Sequence, residues 1–382
     1  MTGQIIVTAD DTTGALEAAA ACADVGWPTT MVPFVVAEHG GSAVQRDSDS
    51  ATVVDLGSRH MSGEDAATRV RWYAASSQLR AHKIDSTLRG NWSAEVAAIV
   101  AGGRRVLMIP AYPSAGRCCV DGVVYIDGVR VSQTAHGRDP RSPVSIDRPA
   151  ESLANVVELK SVEAVTLWLE GDASIAVADA NADAQVHRLV ASVVDHTEVV
   201  VVGPASVVAG LARALAAVGL VPSGRAPAPI AAPVLVVSGS VHPASQLQMA
   251  ALCDAGAAVI DLDDRSTWRP RWGTASVVVL TIRSRDAADD PEALLGRLGT
   301  HARRLLVESA AATVVLIGGD TAAAVLGSAA VVVEGTLATG VAIGSTTIDG
   351  RLVRVVSKPG GFGSPTTLVD LMSEHLHPMR PQ

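Results

Sequence analysis

Short apolar runs rich in Val, Ile and Thr recur along the chain, separated by longer stretches with helical periodicity. Residues 4–9, 29–36, 52–56, 105–109, 153–160, 173–178 and 198–202 read as strands. Residues 15–23, 64–79 and 181–195, and a run containing Val96 to Val100, read as helices. Continuous apolar strands suit a parallel sheet buried on both faces, and strand-to-helix alternation suits a doubly wound unit. Residues 121–129 instead alternate around an Asp-Gly turn, which predicts a hairpin. A Pro- and Ala-rich stretch with no hydrophobic period then interrupts the pattern. Beyond it the alternation restarts, with strands at 234–237, 257–262, 276–281 and 313–317. Helices are expected from Ala244 and over 291–311, 322–326 and 366–372. The fold predicted is α/β with two domains, each a mostly parallel sheet flanked by helices, and a hairpin inserted in the first. The boundaries read as 1–222, a linker over 223–233, and 234–382.

Polar chemistry concentrates where these strands end. Lys83-Ile84-Asp85-Ser86-Thr87-Leu88-Arg89-Gly90-Asn91 gathers two cations, a carboxylate, two hydroxyls and a carboxamide in a chain that is only 18% charged. Lys83 and Arg89 offer donors to an anion, Asp85, Ser86 and Asn91 suit a polyol, and Gly90 lets a ligand approach the backbone. A capped turn carrying a surface ion pair would use the same residue types. The first strand breaks at Asp10-Asp11-Thr12-Thr13-Gly14. Adjacent carboxylates repel unless they hold a cation, hydroxyls or helix N–H groups, so one is expected to cap the helix and the other to function. Ser58-Arg59-His60 and the rigid loop from Pro110 to Arg117 also follow strands, where ligands meet such sheets.

Composition narrows the function classes. A net charge of −9 and a pI near 5.6, with 3% aromatic residues and no basic run, exclude an ordinary nucleic-acid binder. No stretch has the apolar length of a membrane span, and the N-terminus has no basic signal-like region, so a cytoplasmic protein is expected. Cys22, Cys118, Cys119 and Cys253 show no Cys-x-x-Cys spacing and read as reduced thiols.

The second half carries three glycine-containing turns at strand ends or helix starts: Ser238-Gly239-Ser240, Gly318-Gly319-Asp320-Thr321 and Lys358-Pro359-Gly360-Gly361-Phe362-Gly363. Each alone is an ordinary tight turn; three in one domain point to phosphate and hence to a nucleotide, with Thr321 as a helix cap. The P-loop pattern is absent, and no Gly-x-Gly-x-x-Gly follows the first strand.

Together these motifs resemble the four-carbon acid sugar kinases, which phosphorylate threonate, erythronate or 3-oxo-tetronate. The resemblance runs through nearly the whole chain. It rests on Ala9–Ala15, Lys83–Asn91, Pro110–Pro113 through Arg117, Asp139–Val144, and the three glycine turns. It implies an N-terminal acid-sugar domain and a C-terminal ATP domain, with ATP meeting Ser240, Gly318, Gly319, Asp320, Thr321 and Gly361. The chain departs from the family pattern after Ser240, where Val241-His242-Pro243 replaces small residues.

The expected reaction is transfer of the ATP γ-phosphoryl group to a terminal hydroxyl of the acid, with Mg²⁺. Lys83 and Arg89 would hold the substrate carboxylate or the migrating phosphoryl group. Asp10, Asp11 and Asp85 would bind hydroxyls, with Asp11 or Asp85 as base and Asp320 a rival acting through Mg²⁺. Arg59, Arg117 and Arg141 lie in loops expected to set stereochemical choice. The alternatives are a non-catalytic protein that binds a sugar acid or nucleotide, and a dinucleotide oxidoreductase. Domain closure is expected; no nucleic-acid or membrane partner is.

Overall fold

A computed structural model describes residues 5–34, 50–139, 141–217, 227–240, 242–263, 275–282, 290–309 and 311–377. The chain divides into two compact units, Met1–Gly224 and Arg225–Gln382.

The first unit contains β1 (Ile5–Ala9), α1 (Thr12–Ala23), β2 (Thr29–Pro33), β3 (Ala51–Asp55), α2 (Gly63–Ala74), β4 (Leu79–Lys83), α3 (Trp92–Ala101) and β5 (Arg105–Met108). A small antiparallel sheet follows, β6 (Arg117–Val120), β7 (Val123–Ile126) and β8 (Val129–Arg130). The unit continues with β9 (Val156–Leu159), α4 (Ala164–Glu170), β10 (Ile175–Ala178), α5 (Asp183–Ala191), β11 (Val199–Gly203) and α6 (Ala205–Ala217). Its main sheet runs β2-β3-β1-β4-β11-β5-β10-β9, and every pairing is parallel. Val7, Ala9, Val53, Leu107 and Val200 are fully buried, which explains why these strands read as unbroken apolar runs. β3 lies on one side of β1 and β4 on the other, so strand order reverses beside β1. Ligands enter open parallel sheets at such a reversal, beyond the carboxyl ends of the strands.

The second unit contains β12 (Ile230–Ala231), β13 (Val234–Ser238), α7 (Pro243–Asp254), β14 (Ala258–Asp261), β15 (Val277–Thr281), α8 (Pro291–Glu308), β16 (Thr313–Ile317) and α9 (Gly319–Leu326). It ends with β17 (Val331–Ala338), β18 (Val341–Ile348), β19 (Arg351–Lys358), α10 (Thr367–His375) and β20 (Leu376–His377). Its sheet runs β14-β15-β13-β16-β19-β18-β17. The first four pairings are parallel; β17, β18 and β19 form an antiparallel meander. Val234, Val236, Val279, Val315, Ile317 and Val356 form its core with Leu368 of α10.

Several boundaries differ from expectation. The helix expected over 64–79 stops at Ala74, because the Ser76 hydroxyl accepts from the Gln78 amide and Leu79 opens β4. The expected hairpin at 121–129 is a three-stranded sheet starting at Arg117. Two Asp-Gly turns make it, with positive φ at Asp121, Gly122, Asp127 and Gly128. Ile230 and Ala231, within the stretch expected as linker, pair with Leu376 and His377; residues 218–226 lie outside the described ones. The meander was not anticipated, although Asp349-Gly350 supplies the same positive-φ turn. Among the described residues, no helix is long and apolar enough to cross a membrane.

At the amino ends of β4, β11 and β5 the buried Arg104 collects backbone carbonyls. Its guanidinium donates to Ser76, Leu79, Thr197 and Glu198. These oxygens sit just before or at strand starts, where the ladder does not use them all. Arg104→Ala is expected to lower unfolding stability by about 3 kcal/mol, since it removes four buried hydrogen bonds from a charged donor, and only the Ser76 and Glu198 carbonyls keep a loop backbone amide as partner. Denaturant titration checks this; because the site lies at the other strand ends, ligand binding by the folded variant is expected to be unchanged.

Candidate active site

Parallel register fixes what meets at the carboxyl edge of the first sheet. Ala9 pairs with Asp55 of β3 and with Lys83 of β4, so Asp10, Asp11 and Asp85 follow directly beyond adjacent strand ends. Asp11 caps α1, its Oδ1 accepting the Gly14 amide at 2.9 Å and its Oδ2 the Thr13 hydroxyl at 2.8 Å. The amides of Ser58 and Arg59 both donate to the Asp10 carbonyl, which anchors the loop after β3 against β1. From that anchor Arg59 turns its guanidinium onto both carboxylates. Nε lies 2.8 Å from Asp10 Oδ2, and Nη2 lies 2.9 Å from Asp10 Oδ1 and 2.8 Å from Asp11 Oδ1. Asp85 Oδ1 is 3.8 Å from the same nitrogen.

The segment after β4 folds into a tight turn. Arg89 grips Asp85 in a bidentate fork, Nε to Oδ2 at 2.9 Å and Nη2 to Oδ1 at 3.0 Å, and the Thr87 hydroxyl also donates to Asp85. Arg89 Nη1 is 3.4 Å from Asp139 Oδ2. The turn holds Leu88 at φ 63° and Gly90 at φ 86°. A Cβ at Gly90 would come within 3.0 Å of Arg59 Cγ, so this glycine serves both conformation and close approach. The Asn91 amide donates to the carbonyls of Ser58 and Met61 at 2.9 Å each, tying this turn to the Arg59 loop. Ser86 is half-buried in the same turn.

Lys83 Nζ is 4.0 Å from Asp11 Oδ1 and lies over Gly14, where a Cβ would be 2.3 Å from it. Burial pushes the Asp85 carboxyl upward, but Arg89 and Arg59 outweigh it and hold Asp85 well below the usual carboxylate range. Burial likewise raises Asp11, and Arg59 and Lys83 reverse the shift to a lowered value. At Asp10 burial prevails over Arg59 and Lys83, and its carboxyl is raised. Asp55, which accepts the Gly57 amide and the Thr12 hydroxyl, is pushed up to about 6 by burial. These shifts mark a compact set of interacting charges at a sheet edge, the usual signature of a functional site.

The sequence-predicted residues Asp10, Asp11, Lys83, Asp85 and Arg89 therefore share one cluster, and both cation forks are engaged by aspartates. Arg59, absent from the predicted binding set, organises it. Its signal was its place after a strand in Ser58-Arg59-His60. A second group gave almost no signal. His82 and Glu95 are fully buried, with Nε2 3.2 Å from Oε2, Thr8 on His82 Nδ1 at 2.9 Å, and the Ser58 hydroxyl on Glu95. Glu95 sits inside an apolar helix run, yet it braces the loop that carries Arg59. Glu17 of α1 shares a hydrogen bond with the Tyr112 side chain, and burial raises its carboxyl even though Lys83 opposes the shift.

In the second unit the three glycine turns converge. Gly318 stands at φ 93° and donates its amide to the Lys358 carbonyl. A Cβ at Gly360 would come within 2.9 Å of Ser240 Oγ, and one at Gly361 within 3.2 Å of His242 Nε2. Ser245 donates to the Gly360 carbonyl at 2.7 Å, and Gln248 donates to the carbonyls of Phe362 and Ser364. Thr321 was expected as a helix cap. Gly318 holds that position instead, and the Thr321 hydroxyl accepts the Gly239 amide at 3.1 Å, joining two of the turns. Gly319 opens α9, and Asp320 is exposed in its first turn. Lys358 is buried, donates to the Pro359 carbonyl at 2.7 Å, and is lowered by burial to about 8.

A parallel sheet with paired aspartates and cations at one carboxyl edge, and glycine turns at another, defines a small-molecule enzyme of α/β type. Residues 5–211 match the family model described as a sugar-binding N-terminal domain. The chain is 32% identical to a D-threonate kinase of Bordetella bronchiseptica, over 95% of each chain. A crystal structure of a Bordetella bronchiseptica protein of unknown function, with bound citrate and a domain-swapped dimer, is 28% identical. It covers 98% of this chain and 99% of its own at a TM-score of 0.51. A Salmonella typhimurium structure described as a putative tRNA synthase shares the fold at a TM-score of 0.75, with 20% identity over 98% of this chain and all of its own. The chain belongs to the four-carbon acid sugar kinase family.

The Gly14 contact separates stability from function. Alanine is the better helix former by about 1 kcal/mol. A Cβ there would also lie 2.5 Å from Asp11 Oδ1, the cap acceptor of α1, so Gly14→Ala is expected to displace the flexible Lys83 ammonium and to strain the Asp11 cap. Thermal melting should show little net change, because the gain in helix propensity offsets the strained cap, whereas sugar-acid turnover should fall about tenfold or more.

Proposed function

We propose that this protein is an ATP-dependent kinase that phosphorylates a terminal hydroxyl of a four-carbon sugar acid. The observation that carries the reading is the set of Asp10, Asp11 and Asp85, held by Arg59 and Arg89 beside Lys83, within the region that matches a sugar-binding family model. Asp11 and Asp85, held below the usual carboxylate range by neighbouring cations, accept hydrogen bonds from hydroxyls, as polyol recognition requires. The Bordetella bronchiseptica relative, a D-threonate kinase, supports the same substrate class.

In this reading Asp11 orients the attacking hydroxyl and accepts its proton. The Asp11 side chain also caps α1, but it is 14% exposed against 10% for Asp85 and 2% for Asp10, which makes it the best presented of the three. A carboxylate of low basicity is adequate, because the loose transition state of phosphoryl transfer asks mainly for alignment and charge stabilisation. Lys83, near Asp11, offers a cation to the migrating group. The second unit carries ATP, with Ser240, the turn at Gly318 and the amides at Gly319 and Gly361 around its phosphates. Mg²⁺ suits the exposed oxygens of Asp320 together with phosphate oxygens, and when bound it offsets charge on the phosphates. The units then divide the labour: Met1–Gly224 binds the acid and Arg225–Gln382 the nucleotide.

ADP release from Mg-ATP with D- and L-threonate, D-erythronate and their 3-oxo forms tests the reading. Acid-dependent release with one preferred acid is expected; absence of acid-dependent release with every member overturns it. Arg89→Ala is expected to lower the rate by about a hundredfold, since it leaves Asp85 buried without its fork. A near-normal rate in that variant would remove Arg89 from the machinery.

A further inference from the structure

At the carboxyl edge of the second unit's sheet lies a buried lysine with no carboxylate beside it. Lys358 ends β19 and is in register with Ile317 of β16; two residues earlier, Val356 is in register with Val315. Side chains in parallel register, or two apart on one strand, share a face of the sheet. Val315, Ile317 and Val356 pack with Met249 of α7 and Leu368 of α10, so Lys358 extends on the face that these helices cover. It is 1% exposed.

The charged and titratable groups of the surrounding elements lie elsewhere. β13, β16 and β18 carry none. His242 ahead of α7, Asp320 of α9, and Asp370 and Glu374 of α10 are exposed, and His375 closes α10 beside Glu374. Cys253 and Asp254 are at the far end of α7. On β19 itself, Arg354 is paired with Glu334 and Arg351 opens the strand at its other end. Burial alone therefore acts on the Lys358 ammonium, lowering it to about 8.

The ammonium is tied to the turn that follows. The Pro359 carbonyl accepts Lys358 Nζ at 2.7 Å and the Phe362 amide at 3.2 Å, which closes the turn Pro359-Gly360-Gly361-Phe362. An ammonium has three donors, and among the described residues only this one is engaged. The amides of Gly360 and Gly361, in the middle of the turn, donate to no described acceptor. Ser245 and Gln248 of α7 hold the turn by its Gly360 and Phe362 carbonyls. A lysine charge buried without a counter-ion is unfavourable to the folded state, and successive amides over it form an anion-binding concavity.

We propose that Lys358 is the buried counter-charge of the nucleotide site, acting from beneath the Gly360-Gly361 turn on the phosphates that the turn amides and Ser240 hold. The inference rests on the ATP reading of the second unit. Lys358 acts through the turn and its field, and is a positioning residue. An anion bound above it favours the charged ammonium, so nucleotide binding is coupled to proton uptake. Affinity is then complete below about pH 8 and falls as pH rises through that value, by about tenfold per pH unit at most.

Calorimetric titration of wild type and Lys358→Met with Mg-ATP, and with inorganic tripolyphosphate, tests this from pH 7 to 9.5 in buffers of different ionisation enthalpy. Phosphate groups are already ionised over most of this range, so they contribute little to the proton count. Wild type is expected to take up protons near pH 8 and to lose affinity above it. Lys358→Met should melt no lower than wild type, because methionine fills similar space without a buried charge. It should bind ATP about tenfold or more weakly at pH 7, the worth of one charge-assisted interaction, with the proton uptake and the pH dependence both gone. Unchanged affinity in the variant overturns the proposal. So does weakened affinity with proton uptake retained, which would make Lys358 a structural support of the turn. Absence of uptake by wild type on binding ATP overturns it without recourse to any variant. Tripolyphosphate binding with Lys358-dependent uptake, but no ATP binding, would sustain the anion site and remove the nucleotide reading. Binding of neither by wild type would remove both.

Discussion

One guanidinium, that of Arg59, faces the buried carboxylates of Asp10 and Asp85 and the half-buried one of Asp11 at the carboxyl edge of a parallel sheet. Without it, Asp10 and Asp11 would be adjacent negative charges in a poorly hydrated place, and burial would drive at least one of them to take up a proton. With it, they stay side by side and keep acceptor character. The geometry depends on backbone as much as on charge. The Ser58 and Arg59 amides share the Asp10 carbonyl, Glu95 and His82 brace Ser58 from beneath, and Asn91 ties the loop to the Lys83–Asn91 turn. Arg59 is thus a positioning residue for the aspartates.

The Arg89–Asp85 fork belongs to the same economy of charge. It satisfies Asp85, shapes the turn that places Leu88 and Gly90 at positive φ, and is linked through Asp139 to the loop carrying Arg141. Both arginines at the centre therefore serve the protein's own carboxylates.

Much of this was legible in the chain. The alternation of β-branched runs with helical stretches predicted the parallel sheets, because strands buried on both faces have no polar side to show. Asp10-Asp11 and Lys83–Asn91 stood out because so much polarity at strand ends is unusual in an apolar chain. β4 was obscured because Arg80, His82 and Lys83 make it look like a turn. In the fold His82 is paired inside the core, and Lys83 emerges at the edge over Gly14. Arg59 could be noticed but not assigned, since its contact with Asp10 spans 49 positions and exists only through the parallel register of β1 and β3. Glu95 was hidden by its apolar neighbours, and the helix cap expected of Thr321 was displaced by a bond to Gly239 that only the fold creates. Local polarity was readable; long-range pairing was not.

The claim that Arg59 holds the aspartates in binding geometry is tested most directly by calorimetric titration of a four-carbon sugar acid into Arg59→Lys, with folding followed by circular dichroism. Lysine keeps the charge but cannot fork across two carboxylates. Acid binding weakened by about a hundredfold in a folded variant is the predicted result. Affinity close to that of the wild type would contradict it and leave charge alone, rather than the fork, as what the site requires.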